Sequence, residues 1–261
     1  MDLPCAANFA PRLWIYTNFD CNLACSYCCA RSSPRAERRS LSLSDHRRLI
    51  DEAVDCGIQE VFLTGGEPFL LPDIADRVRA SANRIPTTVL TNAMLFRGSR
   101  LAALESLAGL LVRFQVSLDG PEATAHDAIR GSGSWEKAVA GIRQLLCFGF
   151  EVSVSTTQTA SNLGLEEATR DFVLGLGIAS QAHFVRPLAR RGFSEAGMEA
   201  SAATLEPEVT VSRDGVFWHP LACEDDLLVS RRIFPFAGAL EELHSLHHKV
   251  LESGGLPQRF R

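Results

Sequence analysis

The sequence has 261 residues, of which 46% are hydrophobic, and its formal net charge is −5. This length supports one α/β domain with a full core and a small C-terminal appendage, and the acidic balance argues against a nucleic-acid-binding protein. No run of 18 apolar residues is present, and the N-terminal MDLPCAANFAPRLW lacks the charged and apolar regions of a secretion signal. We therefore expect a cytoplasmic protein without a membrane segment.

Short β-branched runs alternate with helical segments along the first 190 residues. The helical segments begin near Ser44, after Asp73, at 99, after Ser134 and near 165. This alternation predicts an α/β fold with a parallel sheet and right-handed crossovers. Six strands are too few for a closed eight-stranded barrel, so an open, partial β/α barrel is predicted. The predicted strands are 13–18, 60–65, 87–92, 112–119, 151–157 and 182–187.

The pattern changes near residue 190. A Gly/Ala/Ser-rich segment is followed by a predicted hairpin at 207–220, which turns at Asp214-Gly215. An amphipathic stretch at 236–253 predicts a closing helix. We therefore divide the chain into a barrel core, 1–190, and a C-terminal cap, 191–261.

The sequence has eight cysteines, and Cys21, Cys25, Cys28 and Cys29 fall within nine residues. In a reducing compartment, clustered cysteines indicate metal or redox chemistry. The C-x3-C-x2-C spacing directly after the first strand brings three thiolates to one small inorganic group, either zinc or an iron–sulfur cluster. Structural zinc takes four protein ligands, whereas three thiolates leave one iron of a [4Fe–4S] cluster open. A zinc loop and unligated thiols are the alternatives.

The segment LTGGEPFL follows the second predicted strand. Gly65 and Gly66 allow a close approach of the backbone, and Glu67 can accept a charge-assisted hydrogen bond from an ammonium group. With the cysteine motif before it, this segment resembles the radical S-adenosylmethionine (SAM) superfamily over about residues 11–190. The resemblance implies that the open iron of a single [4Fe–4S] cluster binds SAM. It also implies that reductive cleavage of SAM gives a 5′-deoxyadenosyl radical, which abstracts hydrogen from a substrate.

The resemblance implies roles for other residues as well. Tyr27 matches an aromatic position near the adenine of SAM, Ser117 a contact to its ribose, and Arg130 a contact to its carboxylate. Asp119 is a candidate catalytic residue that faces substrate. The alternatives are turn capping for Ser117 and Asp119 and a surface ion pair for Arg130. Ala93 departs from the glycine that the family often carries after the third strand.

The C-terminal part resembles the SPASM/twitch branch of the superfamily, whose extensions carry auxiliary clusters. Beyond residue 150 the sequence has only Cys223, and a complete auxiliary cluster would also need Cys5 and Cys147, so we expect a degenerate extension. Without an auxiliary electron acceptor, a redox-neutral reaction such as epimerisation of a small polar metabolite (sugar or nucleotide-like), in natural-product biosynthesis, is favoured. Cys223 is then a candidate hydrogen donor, and Cys147 is expected in the core.

Two alternatives to this function stay open: a peptide-modifying maturase or dehydrogenase, and a non-enzymatic iron–sulfur sensor. We also expect an electron donor such as flavodoxin or ferredoxin, and a basic segment after the cluster motif is a candidate docking surface or a solvated loop. Basic residues after the sixth strand are candidates for holding a phosphate or carboxylate. The first set is Arg31, Arg35, Arg38 and Arg39, and the second is Arg186, Arg190 and Arg191.

Overall fold

The computed structural model describes residues 11–221, 223–255 and 257–260, and only the backbone of Asp225. Cys5 lies outside these residues. One sheet contains β1 (Arg12–Asn18), β2 (Glu60–Gly65), β3 (Thr87–Thr91), β4 (Val112–Ser117), β5 (Glu151–Thr157), β6 (His183–Arg186), β7 (Thr210–Ser212), β8 (Gly215–Phe217) and β9 (Leu228–Ser230). The strand order is β6-β5-β4-β3-β2-β1-β7-β8-β9. Strands β1 to β6 pair in parallel with their neighbours, and β7 pairs in parallel with β1. The pairs β7–β8 and β8–β9 are antiparallel.

Of the helices in the described part of the chain, the first six connect the parallel strands and the last follows β9. The helices are α1 (Leu43–Asp55), α2 (Ile74–Ala82), α3 (Ser99–Glu105), α4 (Ala123–Arg130), α5 (Ser134–Cys147), α6 (Glu166–Gly175) and α7 (Phe236–Glu252). In the part of the chain described, no helix has the length and apolarity needed to cross a membrane.

The two faces of the sheet differ in burial. In β5, Val152 and Val154 are buried, whereas Ser153 and Ser155 between them are half-buried. The buried face packs with helix residues into one core, and its burial provides the main driving force for the fold. We call the other face the inner face; strand register places Tyr16, Thr64, Leu90, Gln115, Ser117, Ser155, Thr157, Phe184 and Arg186 on it. The inner face is therefore the surface on which ligands can bind.

The open, partial barrel predicted from the sequence is confirmed, and all six predicted strands are present. The first helix is capped by Ser42, whose hydroxyl accepts a hydrogen bond from the Asp45 backbone at 3.0 Å, and not by Ser44. Helix α4 was not predicted, because its eight residues follow a segment typical of a turn. The hairpin extends the barrel sheet, since β7 pairs with β1; the division at residue 190 stays a prediction.

Candidate active site

The three motif cysteines lie in the loop between β1 and α1. Cys21 and Cys25 are buried and Cys28 is half-buried. The backbone N–H of Leu23 lies 3.4 Å from the Cys21 Sγ, and that of Ser32 lies 3.3 Å from the Cys28 Sγ. Hydrogen bonds to sulfur are among the features that tune iron–sulfur clusters, so the loop provides suitable surroundings for bound thiolates.

Neighbouring elements hold this loop in place. The Ser26 N–H donates to the Ile129 carbonyl oxygen of α4 at 3.2 Å. The Arg130 guanidinium Nη1 lies 3.9 Å from the Cys25 Sγ. The Asn92 Nδ2 lies 4.0 Å from the Cys21 Sγ and 2.9 Å from the Asn22 Oδ1. The cysteine loop is therefore tied to the ends of β3 and α4.

The donor set of the loop fits an iron–sulfur cluster. Each thiolate of such a cluster binds a different iron, and backbone N–H groups lie near the sulfurs of Cys21 and Cys28. Three thiolates in one loop would leave one iron of a [4Fe–4S] cluster open.

The two glycines of the GGEP segment bring β1 and β2 together. A Cβ on Gly65 would lie 2.2 Å from the Asn18 carbonyl oxygen, and one on Gly66 would lie 2.0 Å from that of Asp20. Gly65 also has a φ of +133°, which favours glycine. The Glu67 N–H then donates to the Asp20 oxygen at 3.0 Å. The two glycines thus allow the close backbone approach that was expected. The backbone that they approach is the start of the cysteine loop.

Glu67 is buried and accepts three hydrogen bonds from the chain. Its Oε1 accepts from the Phe69 N–H at 3.0 Å and the Thr91 hydroxyl at 2.8 Å, and its Oε2 accepts from the Asn92 N–H at 2.8 Å. Burial raises the pKa of Glu67, and these hydrogen bonds oppose the rise. A carboxylate offers about four acceptor positions, so one position on Oε2 is unused by the described residues.

Asp119 is fully buried after β4 and forms an ion pair with Arg130. Its Oδ2 accepts from the Arg130 Nε at 2.6 Å and from the Tyr27 hydroxyl at 2.8 Å, and its Oδ1 accepts from the Thr157 N–H at 2.9 Å. Arg130 also donates to the Tyr27 oxygen. Burial alone would lower the pKa of Arg130, but the Asp119 carboxylate raises it well above its usual value. Asp119 therefore holds Arg130 and Tyr27 in place in this structure, and its contact with substrate stays a prediction.

Ser117 occupies a different environment from Asp119. It is half-buried on the inner face beside Ser155 of β5, and no hydrogen bond joins its hydroxyl to another described residue. The neighbouring inner-face residue Gln115 is 4% exposed, and its Oε1 is without a partner among the described residues. Neither group caps a turn, and the ribose contact of Ser117 stays a prediction.

Ala93 takes the conformation that its glycine counterpart would favour, with a φ of 57°. Room for it comes from Gly141 in α5: a Cβ there would lie 1.9 Å from the Ala93 carbonyl oxygen. The Ala93 N–H donates to the Thr91 hydroxyl at 3.0 Å. The turn after β3 is therefore kept despite the substitution.

Cys223 and Cys147 lie in different surroundings. Cys223 is half-buried, and burial raises its pKa, with Cys29 as the next cause. Cys147, expected in the core, is exposed at the end of α5. The role of Cys223 as a hydrogen donor stays a prediction.

Three further residues complete the site and were missed in the sequence. Asn92 donates to Asn22 and its backbone donates to Glu67. His126 Nδ1 accepts from the Asp119 N–H at 3.0 Å, and Asn162 Nδ2 donates to the Asp119 carbonyl oxygen at 2.9 Å. Only Asn92 had a local signal, since it follows a strand in the TNA segment.

The arginines after the cysteine loop divide into two kinds. Arg31 forms an ion pair with Glu224 at 3.2 Å, and Arg39 pairs with Asp214. Arg35 and Arg38 are exposed and form no ion pair with another described residue. Two of the four basic groups thus join the cysteine loop to the C-terminal region.

The arginines after β6 also differ. Arg190 and Arg191 form ion pairs with Glu199 and Asp226. Arg186 lies on the inner face, where burial lowers its pKa and Glu208 opposes that effect. Of this set, Arg186 is the one placed to meet a ligand.

Curated relatives share sequence with much of the chain. The AdoMet-dependent heme synthase of Methanosarcina barkeri is 33% identical over 201 residues, which cover 76% of this chain and 56% of the relative. Mycofactocin maturase MftC of Mycobacterium tuberculosis is 35% identical over 150 residues, 56% of this chain and 37% of the relative. The chain therefore spans about half or less of the length of these relatives.

Solved structures share the fold. Streptococcus suis SuiB bound to S-adenosylmethionine matches 75% of this chain and 45% of its own, with a TM-score of 0.63 and 23% identity. The anSMEcpe protein with bound AdoMet matches 90% of this chain and 78% of its own, with a TM-score of 0.67 and 14% identity. The family model for the radical SAM superfamily matches residues 15–167, more than half of the chain. The chain belongs to the radical SAM superfamily, whose members use a [4Fe–4S] cluster and S-adenosylmethionine.

Proposed function

We propose that this radical SAM enzyme removes hydrogen from a peptide substrate that lies along the inner face. The observation that carries the proposal is the β6 edge of the sheet, which has no strand partner among the described strands and exposes Phe184. When bound, the cluster at Cys21, Cys25 and Cys28 and its SAM supply the electron and the carbon radical. The chain's own residues bind the substrate, orient it and expose it to the radical.

Two buried acids would fix the SAM position in different ways. The free acceptor position on the Glu67 Oε2 suits the SAM ammonium group, and a charge-assisted hydrogen bond there would contribute about 1.5–3 kcal/mol. Asp119 holds Arg130 beside Cys25, where the guanidinium suits the SAM carboxylate. Tyr27, fixed by both, provides a ring next to the same position.

The peptide assignment is supported by the edge of the sheet. Strand β6 pairs only with β5 among the described strands, so one side of its backbone has no strand partner. Phe184 and Val185 in it are 44% and 37% exposed. Extended peptides bind such edges by adding a strand, while side-chain pockets provide specificity. A bound peptide would cover these apolar side chains and reach the inner face.

Names and titles of similar proteins agree with this choice. One curated relative is a mycofactocin maturase, and solved neighbours include SuiB bound to precursor peptide SuiA and anSMEcpe bound to AdoMet and a Cp18Cys peptide. Epimerisation has no such support. Other curated relatives are named AdoMet-dependent heme synthase and GTP 3',8-cyclase, which suit a small molecule; the peptide alternative is preferred because solved neighbours hold peptides and the sheet edge is exposed. A small anionic metabolite is the second candidate, because Arg186 is a half-buried cation on the inner face.

The proposed electron donor is a carrier of the flavodoxin or ferredoxin class. Arg35 and Arg38 are the exposed cations of the cysteine loop that form no ion pair within the described ranges, so they are the groups suited to an acidic carrier. Exposed charges of this kind mainly raise the association rate and make it depend on salt.

The substrate class is tested with anaerobically reconstituted enzyme, SAM and dithionite. The probes are synthetic peptides encoded by short reading frames beside the gene, and a low-molecular-mass cell extract treated with protease. We expect a peptide to raise 5′-deoxyadenosine formation above the level without substrate and to change its own mass. Stimulation by the protease-treated extract, with no peptide effective, would contradict the peptide assignment and favour the metabolite.

A further inference from the structure

Gln115 is a buried carboxamide on the inner face of β4 whose hydrogen-bonding groups are unused by the described residues. Its side chain is 4% exposed, and its Oε1 meets no donor among them. No hydrogen bond joins its Nε2 to another described residue either. A buried polar group without a partner costs free energy on folding, and such groups in a native protein call for an explanation.

The strands beside β4 do not supply the missing partner. Strand register places Leu90 of β3 and Ser153 of β5 next to Gln115. Leu90 has no polar atom in its side chain, and the Ser153 hydroxyl donates to the Phe114 carbonyl oxygen at 3.4 Å. The sheet thus leaves the donors and the acceptor of this amide unused.

Two half-buried serines lie beside Gln115, towards the edge of the sheet that carries the cysteine loop. Ser117 is two residues further along β4 and pairs in register with Ser155 of β5. Neither hydroxyl hydrogen-bonds to another described residue. We call Gln115, Ser117 and Ser155 the polar patch. Because each strand residue rises about 3.3 Å, Gln115 lies about 7 Å further than Ser117 from the edge with the cysteine loop.

The polar patch suits a neutral ligand. None of its three side chains is charged at neutral pH, and the next inner-face residue of β4, Arg113, is paired with Glu60 at 2.8 Å. A carboxamide offers an acceptor oxygen and two donor hydrogens side by side. In an extended peptide the N–H and the C=O of one residue point to the same side, as in a hydrogen-bonded pair of an antiparallel ladder. Gln115 is therefore complementary to the main chain of one extended residue.

We propose that Gln115 binds the main chain of the substrate residue that reaches the inner face past β6. Its Oε1 accepts the N–H of that residue, and its Nε2 donates to the carbonyl oxygen of the same residue. This inference rests on the proposed function, because it assigns a contact to the proposed peptide.

The distance from the sheet edge fits this contact. Only β5 lies between β4 and β6 in the sheet. At a strand spacing of about 4.8 Å, Gln115 is about 10 Å from the β6 edge, and about three extended residues span that distance. A peptide added to β6 therefore needs only a short continuation to reach the polar patch.

Recognition of the main chain has a consequence for specificity. The side chain of the bound residue is free to vary, because Gln115 contacts only backbone groups. Proline at that position lacks the N–H that the Oε1 accepts, so the enzyme should reject it.

The test uses the reconstituted holoenzyme, SAM, dithionite and the synthetic peptide that most increases 5′-deoxyadenosine formation. Gln115→Met removes the carboxamide and keeps the length of the side chain. Gln144→Met in α5 is the matched control, since its Nε2 contacts the Phe96 carbonyl oxygen and not the inner face. We expect the KM for the peptide to rise about tenfold or more in Gln115→Met, as for the loss of two hydrogen bonds, and to stay unchanged in Gln144→Met.

Two further measurements separate substrate binding from a structural role. The melting temperature of the free Gln115→Met protein should be equal to or above that of the wild type, because no hydrogen bond is lost. SAM affinity and the formation of 5′-deoxyadenosine without peptide should also stay at wild-type values.

A second arm locates the contact on the peptide. Each peptide of a series is N-methylated at one residue and so lacks one N–H, and one of them should show a raised KM with the wild type. The same N-methylation should have little further effect on Gln115→Met, because the contact is already lost.

Several results would overturn the inference while the peptide function stands. They are an unchanged KM in Gln115→Met, a fall in its SAM affinity, a lower melting temperature of the free variant, and coupling to a peptide side chain instead of to N-methylation. If no peptide stimulates the wild type, the proposed function fails, and the contact assigned to Gln115 fails with it.

Discussion

The cofactor side and the substrate side of the inner face are built differently. At the ends of β2 and β4, Glu67 and Asp119 are buried and their carboxylates each accept three hydrogen bonds of 2.6–3.0 Å from the chain. At β5 and β6, Ser155 is half-buried and Phe184 is 44% exposed. The chain thus fixes one side before any ligand binds and leaves the other open.

This difference follows from what each side must recognise. SAM has the same charged groups in every reaction, so donors and acceptors fixed in advance lower the cost of binding it. A substrate surface gains from accessible backbone and apolar side chains that can pair with an extended chain. Substitutions on the cofactor side should therefore reduce stability and SAM binding together, whereas those on the substrate side should act on turnover.

The largest effect on stability is expected for Asp119→Asn. Removing the charge leaves Arg130 buried without its ion-pair partner, which costs about 3 kcal/mol, and SAM affinity should fall as Arg130 and Tyr27 lose their positions. Urea unfolding followed by circular dichroism and equilibrium dialysis with SAM measure the two effects. The control Asp171→Asn, an exposed residue of α6, should stay within about 0.5 kcal/mol. Equal stability of the two variants would contradict the positioning role.

Two glycine-to-alanine substitutions compare a tightly packed helix position in α5 with an open helix position in α6. Gly141→Ala places a Cβ against the Ala93 backbone at 1.9 Å, and we expect a loss of about 2 kcal/mol from overpacking. Gly175→Ala in α6 meets nothing within 4 Å and should gain about 0.5 kcal/mol, because the unfolded chain becomes less flexible. Thermal unfolding checks both. A gain of the same size in both variants would show that helix propensity, and not the contact with Ala93, governs the result.

The cofactor side should also lose stability in acid through His126. Burial lowers the pKa of His126 from 6.5 to about 4, with Arg130 as the next cause. Between these pH values the unfolded chain binds a proton at His126 and the folded chain does not. The free energy of unfolding therefore falls as pH drops from about 6.5 towards 4. For this histidine the loss should approach about 3 kcal/mol at pH 4. His126→Asn can still accept from the Asp119 N–H, and urea midpoints across this range should show a weaker pH dependence than the wild type.

The smallest effect on stability is expected for Phe184→Ala on the substrate side. The side chain is half exposed in an edge strand, so the free energy of unfolding should change by about 0.5 kcal/mol or less. Peptide-dependent formation of 5′-deoxyadenosine should fall, because the variant loses an apolar contact to the added chain. A large loss of stability with normal peptide response would place Phe184 in the core and contradict the open edge.

The sequence predicted the parts of the molecule that depend on local patterns. The six strands follow from β-branched runs, and the cysteine loop and Glu67 follow from two short motifs. The partners of Asp119 could not be predicted, because Arg130, Thr157 and Asn162 reach it from three elements that only the fold brings together. The ion pair between Arg31 and Glu224 was missed for the same reason, because the two residues lie far apart in the sequence.

The most direct test measures iron, sulfide and SAM cleavage on the same reconstituted sample. The account predicts about four irons and four sulfides per chain and formation of 5′-deoxyadenosine that depends on reductant. Joint replacement of Cys21, Cys25 and Cys28 by Ala should abolish the cluster and the product. About eight irons in the wild type, a cluster that persists in the triple variant, or a four-iron protein that never cleaves SAM would contradict the single catalytic cluster.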